Sequence, residues 1–291
     1  MRECLWGHGP CPRLKTTGWY NTRGRSALRT QQMGAGTSMG ATIAVIGALE
    51  KEVQRVYESL EDGTRTSEAG LTVARGTYRG LGVVATTAGM GTVNVAAATQ
   101  HLLSRYNAGT VIFSGIAGSL NPSLHIGDVV IGERLLYLDT DTNCIAESEP
   151  FLEQFASTEA LIEIAQEVLQ EQGYQNAAAP HANIATTDDT PDRPPLQYLR
   201  GTIATGNRYV TGATAKDAVL AATGADCVEM EGAAVAHVAA KNRAACLVLR
   251  AISDNCDESY EAISARQFDL TEYSRSASGL VLAIIEKLAT R

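Results

Sequence analysis

The sequence contains no apolar run that approaches the roughly 20 residues needed to cross a bilayer, so no membrane span is predicted. Apart from its first 38 residues, the chain also lacks the clustered cations that a nucleic-acid surface needs. Its six cysteines include no CxxC pair and no metal-like spacing with the five histidines. These absences predict a soluble protein without a metal site or a nucleic-acid partner. Scattered thiols in a chain of 291 residues further indicate a reduced, cytoplasmic protein.

The N-terminal segment differs from the rest of the chain in charge. Residues 1–38 carry six Arg or Lys against one acid, a local balance of +5 within a total of −8, which leaves −13 for the remainder. We interpret residues 1–40 as a disordered or non-native extension. It is either a targeting segment or, as we favour, the product of a start assigned too early, with Met33 or Met39 as the true beginning. Residues 41–291 are predicted to form one domain, because 45% hydrophobic content suffices for one large core.

From Ala41 onward, short β-branched runs alternate with amphipathic stretches, which predicts an α/β sandwich. The predicted strands are 42–46, 81–87, 110–113, 128–133 and 245–252. Apolar residues at helical spacing predict helices at 93–106, 158–172, 233–241 and 276–288. Residues 178–200 contain four prolines among Thr and Asp, so we expect a long surface loop there.

Glycines follow several predicted strands, including Gly47, the pair Gly89 and Gly91, and Gly118. Ligands of open α/β sheets bind beyond the carboxyl ends of the strands, where small residues let backbone N–H groups approach. These turns therefore predict one crowded crevice. A dinucleotide fingerprint is disfavoured, because Asn94 stands at the third glycine position and no acid follows at the usual separation.

Two acidic segments carry the chemistry of the predicted site. Glu231 is a candidate for binding a vicinal diol, since a carboxylate accepts two hydroxyl hydrogen bonds. Asp254 ends an apolar run, where partial desolvation raises a carboxyl pKa towards that of a useful general acid. The alternative for Glu229 and Glu231 is that both are solvated acids at a helix start.

Two further segments have both a structural and a functional interpretation. Glu50 and Glu52 follow the first strand and are either ordinary first-turn acids of a helix or part of the site. Tyr209 is either a half-buried core aromatic or a ring that stacks on a planar base.

Seven segments occur together and in order in one known family. They are Gly47–Val53, Ala88–Gly91, Ser114–Leu120, Ile126–Val130, Thr205–Val210, Val228–Gly232 and Arg250–Asp254. In these segments the chain resembles the nucleoside phosphorylase superfamily, and within it the 5'-methylthioadenosine/S-adenosylhomocysteine nucleosidases, over about residues 41–290. The resemblance implies a three-layer α/β/α sandwich with a mixed, partly barrel-like central sheet, usually as a homodimer. It also implies hydrolysis of the N-glycosidic bond of a purine nucleoside without metal or organic cofactor.

The resemblance assigns the reacting groups to three residues. Asp254 matches the acid that protonates or hydrogen-bonds purine N7, Glu52 the residue that activates water, and Arg250 a residue that helps to position that water. This division is chemically coherent, because an oxocarbenium-like sugar needs a proton at the leaving group and a base for water.

The resemblance also assigns the substrate contacts. Met230 and Glu231 match ribose contacts, with Glu229 nearby. Tyr209 and Val210 match the residues that stack on the base and contact its edge. Ser253 would orient the acid, and Ile116 and Gly118 complete the predicted site.

Three departures from the family pattern bear on specificity. Ile116 stands where these nucleosidases usually have Ser or Thr near the water. Asn207 replaces an Asp that is common in the segment Thr205–Val210, which we call the base loop because it would contact the purine base. Residues 139–155, which would face the 5' substituent or a partner subunit, match poorly.

Three other functions remain open at this point. The first is a phosphate-dependent phosphorylase, which would need more cations and hydroxyls than the segments supply. The second is a nucleoside-binding protein without catalysis. The third is a nucleosidase for a futalosine-type or inosine-type compound, which the changes at Ile116 and Asn207 keep open.

Overall fold

The structure is a computed structural model that describes residues 42–177, 195–257 and 267–291. The predicted extension at 1–40 lies outside these residues, and the division into extension and catalytic domain stays a prediction. Within the described residues, no helix is both long and apolar enough to cross a membrane.

Ten strands form one mixed sheet. They are β1 (Thr42–Gly47), β2 (Glu61–Glu68), β3 (Leu71–Tyr78), β4 (Leu81–Thr87), β5 (Thr110–Ser119), β6 (Val129–Tyr137), β7 (Gln175–Asn176), β8 (Gln197–Thr205), β9 (Cys227–Glu229) and β10 (Ala245–Asp254). Strand β10 is buried throughout, and β1 and β5 are buried except at Thr42, Ile116 and Gly118, as expected for parallel strands covered on both faces.

The sheet closes on itself over half of its width. Strand β10 pairs antiparallel with β6 and parallel with β5, and the path β10–β6–β8–β9–β5 therefore returns to β10 as a five-stranded ring. Strands β1 and β4 extend the sheet from β5 in parallel, and β3 and β2 continue it antiparallel. This arrangement confirms the mixed, partly barrel-like sheet.

Seven helices are described. They are α1 (Glu50–Ser59), α2 (Thr92–Tyr106), α3 (Thr142–Ile145), α4 (Glu159–Glu171), α5 (Ala213–Thr223), α6 (Gly232–Asn242) and α7 (Gln267–Ala289). Helices α1, α4 and α7 share one core, to which they contribute Val53, Leu161 and Ile284. Helices α2 and α6 bury Leu102 and Val235 in a second core. The two cores flank the sheet, which confirms the predicted helical layers.

The loop predicted at 178–200 is wrong at its C-terminal end, because β8 begins at Gln197. The prolines at 194 and 195 favour a loop in the sequence pattern, and the strand begins directly after them. Strand β8 pairs with β6 on one side and β9 on the other, and it buries Tyr198 and Ile203. Residues 178–194 lie outside the described part of the chain. The strand predicted to end at Phe113 continues to Ser119, where it forms part of the ring and supplies one wall of the site.

Candidate active site

A single cavity at the carboxyl ends of β1, β5 and β10 brings together all eleven residues predicted for the site. They are Glu52, Ile116, Gly118, Tyr209, Val210, Glu229, Met230, Glu231, Arg250, Ser253 and Asp254. These residues come from segments up to about 200 positions apart in sequence, so their convergence is a property of the fold. Their proximity is observed, whereas the role of each stays a prediction.

Asp254 reaches the cavity through an irregularity at the end of β10. Ile252 pairs with Ala117 and Asp254 with Gly118, so Ser253 is an extra residue in the ladder, as in a β-bulge. The Ser253 hydroxyl donates to Asp254 Oδ2 over 2.8 Å, and the Cys256 N–H donates to Oδ1 over 2.8 Å. Both Ser253 and Asp254 therefore line the cavity, and each oxygen of the buried carboxyl group has one protein partner.

Glu52 lies in the first turn of α1 and points back towards the sheet. Its Oε2 accepts the N–H groups of Ala48 and Leu49 over 2.7 and 2.9 Å, and its Oε1 accepts that of Ile116 over 3.2 Å. Burial raises the pKa of Glu52, while the charge of Arg250 and the three N–H donors act in the opposite direction. Glu52 is thus a buried carboxylate held in one orientation by backbone, which suits a base.

Arg250 is buried between carboxylates and an aromatic ring. Its Nη2 contacts Glu229 Oε2 and lies 3.3 Å from Glu231 Oε2, and its guanidinium carbon lies 4.3 Å from the Phe113 ring centroid. Burial opposes the charge of Arg250, but the carboxylates of Glu229, Glu231 and Glu52 outweigh this effect and raise its pKa. The positive charge of Arg250 is therefore already paired with the carboxylates of Glu229 and Glu231.

Glu229 and Glu231 differ in how many of their acceptor positions the protein already uses. Glu229 receives hydrogen bonds from the Thr205 hydroxyl, the N–H groups of Glu231 and Gly232, and Arg250. Because a carboxylate offers about four acceptor positions, little capacity is left for a substrate hydroxyl. The substrate-binding role of Glu229 stays a prediction, and its occupied oxygens favour a structural role.

Glu231 retains more capacity for a ligand. Its Oε1 accepts the Gly91 N–H over 2.7 Å, and its only other protein partner in the described structure is Arg250. Burial and the neighbouring charge of Glu229 raise the pKa of Glu231 to about 7. A diol that donates two hydrogen bonds favours the ionised form of such a group.

The Glu231→Gln variant is expected to be more stable than the wild type at pH 8 and to lose this advantage towards pH 5. The wild-type carboxyl binds its proton more tightly folded than unfolded, so stability falls as pH rises from about 4.5 to about 7. A neutral amide removes this penalty, by about 1–3 kcal/mol at pH 8. Urea unfolding at both pH values measures the difference in free energy of unfolding between the variant and the wild type, and Glu58→Gln, at an exposed position, is the control. An equal effect at pH 5 and pH 8 would contradict the assigned protonation.

Gly115 is needed because the charged groups approach the backbone there. A Cβ at this position would collide with Arg250 Nη1 and lie 2.7 Å from Glu52 Oε1. We expect Gly115→Ala to lower kcat/KM at least tenfold and to destabilise the protein by about 1–3 kcal/mol. Steady-state assays and thermal unfolding measure the two effects. Gly63→Ala is the control, since a Cβ there meets only ordinary contacts and no positive φ opposes it.

The mouth of the cavity is partly apolar. Met90 and Tyr209 line it and are 44% and 39% exposed, so both retain surface for a planar or aliphatic ligand. Val210 and Met230 line the same cavity and are partly buried.

Sequence reasoning missed several residues at the cavity, among them Met90, Arg208 and Cys256. Met90 and Arg208 lie within the segments Ala88–Gly91 and Thr205–Val210, and Cys256 lies two residues after Asp254, so only their proximity to predicted residues could have indicated them. Burial raises the pKa of Cys256 to about 12, so this thiol stays protonated near neutral pH.

Asn207, one of the departures from the family pattern, contacts protein. Its Oδ1 accepts the Thr92 N–H over 3.1 Å and the Thr92 hydroxyl over 3.0 Å, at the beginning of α2. Its own N–H donates to Asp139 Oδ2 over 3.1 Å. Asn207 thus ties the base loop to α2 and to the start of the poorly matching segment 139–155.

Metal ligands are not assembled in the described part of the chain, where no group of three or more His, Cys, Asp or Glu side chains could hold an ion. The groups available at the cavity are carboxylates, the buried guanidinium of Arg250, the exposed guanidinium of Arg208, the side chains of Ser253, Tyr209 and Cys256, and backbone N–H donors.

Comparison with known proteins places these features in a family. The profile of the Phosphorylase superfamily matches residues 42–286. The 5'-methylthioadenosine/S-adenosylhomocysteine nucleosidase of Treponema pallidum is 31% identical over 259 residues, which cover 85% of this chain and 94% of the relative. The aminodeoxyfutalosine nucleosidase of Campylobacter jejuni is 29% identical over 254 residues, which cover 84% and 99%.

Solved structures agree with the sequence relatives. The 5'-methylthioadenosine/S-adenosylhomocysteine nucleosidase of Neisseria meningitidis, in complex with methylthio-immucillin-A, is similar with a TM-score of 0.72 at 25% identity, over 85% of this chain and 99% of that one. Futalosine hydrolase of Helicobacter pylori gives a TM-score of 0.70 at 25% identity, over 84% and 97%. The matching fold, the collinear segments and the extent of the match together show that this chain belongs to the Phosphorylase superfamily.

Proposed function

We propose that this protein hydrolyses the N-glycosidic bond of a purine nucleoside, with 5'-methylthioadenosine and S-adenosylhomocysteine as the first candidate substrates. The observation that carries the proposal is the placement of Asp254, Glu52 and Glu231 around one cavity. Cleavage of an N-glycoside needs an acid at the leaving base, a base for water and a polar contact to the sugar. These three carboxyl groups supply one of each.

In the proposed mechanism, Asp254 donates a proton to purine N7 as the bond from the sugar to the base lengthens. The base leaves neutral, and the positive charge that develops on the sugar is stabilised by nearby carboxylates. Glu52 takes a proton from water as its oxygen bonds to the anomeric carbon, and Arg250 helps to position that water. Glu231 holds the ribose hydroxyls beside Met230, while Tyr209 and Val210 contact the base.

Water is favoured over phosphate as the nucleophile by the charges around Glu52. The guanidinium of Arg250 is already paired with Glu229 and Glu231, and Ile116 presents an apolar side chain to the cavity. A phosphate dianion beside Glu52 would lack the several donors that such an anion needs.

A second candidate is hydrolysis of a futalosine-type nucleoside. It is favoured by the similarity to the aminodeoxyfutalosine nucleosidase of Campylobacter jejuni, which extends over 99% of that relative at 29% identity. The changes at Ile116 and Asn207 lie in the same cavity and in the adjoining base loop, so they support a different preference for base or 5' group.

The test is release of purine base from methylthioadenosine, S-adenosylhomocysteine, aminodeoxyfutalosine, adenosine and inosine, each with and without phosphate. Base and free sugar released without phosphate are expected, and the ranking of kcat/KM gives the preferred 5' group. Strict dependence on phosphate would make the protein a phosphorylase. Binding without turnover would make it a nucleoside-binding protein.

We also propose that the protein is a cytoplasmic homodimer. The described cysteines, Cys144, Cys227, Cys246 and Cys256, are free thiols, which suits a reducing compartment. Large apolar side chains are exposed at Met90 and Tyr209 at the cavity mouth and at nearby Val93, where a second copy would cover them. Light scattering coupled to size exclusion measures the mass, and a monomer at micromolar concentration would contradict the dimer.

A further inference from the structure

Thr205 is a buried residue next to the cavity that does not line it. It ends β8, and its side chain is fully buried. Its hydroxyl donates to Glu229 Oε1 and accepts the N–H of Ala233 over 2.8 Å. One hydroxyl therefore connects the end of β8 to the first turn of α6 and to a carboxylate of the site.

Glu229 connects Thr205 to Arg250 and to the backbone of Glu231. While Oε1 accepts from Thr205, Oε2 contacts Arg250 and accepts the N–H of Glu231 over 3.0 Å. The orientation of the Glu229 carboxylate thus fixes both the Arg250 guanidinium and the backbone that carries Glu231. Without the Thr205 hydroxyl, this carboxylate loses one of its four donors, and the Ala233 N–H loses its side-chain acceptor.

We propose that Thr205 is a positioning residue for the reaction, acting through Glu229 on Arg250. The expected loss of kcat rests on the proposed nucleosidase function. The expected displacement of the Arg250 guanidinium rests on the geometry alone. Glu231 keeps its own hydrogen bond from the Gly91 N–H, so substrate binding is less affected than the chemical step.

The test compares Thr205→Val, which keeps the shape and removes the hydroxyl, with Thr205→Ser, which keeps the hydroxyl. For methylthioadenosine in phosphate-free buffer, Thr205→Val is expected to lower kcat at least tenfold while KM changes less than threefold. Thr205→Ser is expected to retain kcat within threefold of the wild type. Assays are run where thermal unfolding shows every variant to be folded.

Thr86→Val is the matched control. Thr86 is also fully buried, but it does not line the cavity, and its hydroxyl donates to the Thr72 carbonyl of β3 over 2.9 Å rather than to a carboxylate of the site. Normal kcat is expected for this variant. A Thr205→Val enzyme within twofold of the wild type, a loss confined to KM, or an equal loss in Thr205→Ser would overturn the proposal.

Crystal structures give a readout that is independent of activity. The Arg250 guanidinium is expected to leave Glu229 in Thr205→Val and to keep its place in Thr205→Ser. An unchanged Arg250 in Thr205→Val would overturn the positioning role even if the wild type hydrolysed no nucleoside. Failure of the proposed function would instead appear as an inactive wild type in which Arg250 still moves on substitution of Thr205.

Discussion

Asp254→Asn is expected to lower kcat by about 10²–10⁴-fold, the range typical of a lost general acid. An amide can donate a hydrogen bond to purine N7 but cannot transfer a proton, so the base would have to leave as an anion. The amide oxygen can still accept the Cys256 N–H, as Oδ1 of Asp254 does over 2.8 Å. The fold and KM should therefore change little.

Single-turnover and steady-state assays with methylthioadenosine measure this effect. Asp257→Asn is the matched control, because Asp257 lies three residues further on and is exposed outside the cavity. Its kcat should equal that of the wild type. If Asp254→Asn retained more than a few per cent of wild-type kcat, another group would have to protonate the base.

Glu52→Gln is expected to reduce hydrolysis by a similar factor, about 10²–10⁴-fold in kcat, because an amide cannot accept the proton of water. This variant differs from Asp254→Asn in its effect on the fold. The Glu52 carboxylate accepts three backbone N–H groups, and an amide would present a donor to at least one of them. We therefore expect an additional loss of stability of about 1–3 kcal/mol.

Thermal unfolding separates the two consequences, with kcat measured well below the melting temperature. Glu50→Gln is the matched control: Glu50 begins the same helix two residues earlier, is exposed and does not line the cavity. It should show normal kcat and stability. Normal kcat in Glu52→Gln would remove Glu52 from the mechanism.

The elements predicted well are those with strong apolar periodicity. Strand β4 agrees with its prediction at both ends, because it is a short β-branched run whose central residues are all buried. Helix α2 differs by one residue, because its buried residues recur at helical spacing. The sequence gives no comparable signal for β2, whose residues are mostly exposed and include no large apolar side chain. Its pairing with β3 is what makes it a strand.

A local sequence pattern also cannot distinguish the two acids Glu229 and Glu231. The segment Val228–Gly232 indicates that Glu229 and Glu231 belong to a site, but the two are equivalent in a sequence pattern. They are distinguished by the contacts of Thr205 and Gly91, which come from 24 and 140 positions away. Thr205 itself was contained in a recognised segment, yet nothing local indicates that its hydroxyl binds Glu229.

The sequence by itself determined the α/β class, most of the buried strands and helices, and eleven residues that meet at the cavity, because apolar periodicity and short segments are local properties. The tertiary structure decided how the sheet closes and which hydrogen-bond partners each carboxyl group has. Strand β10 can pair with β5 and β6 at once only in the assembled ring. The extra residue at Ser253 turns Asp254 into the cavity, and long-range hydrogen bonds fix Glu229 while leaving Glu231 available. Such pairings depend on distances between segments far apart in the chain, which no local pattern encodes.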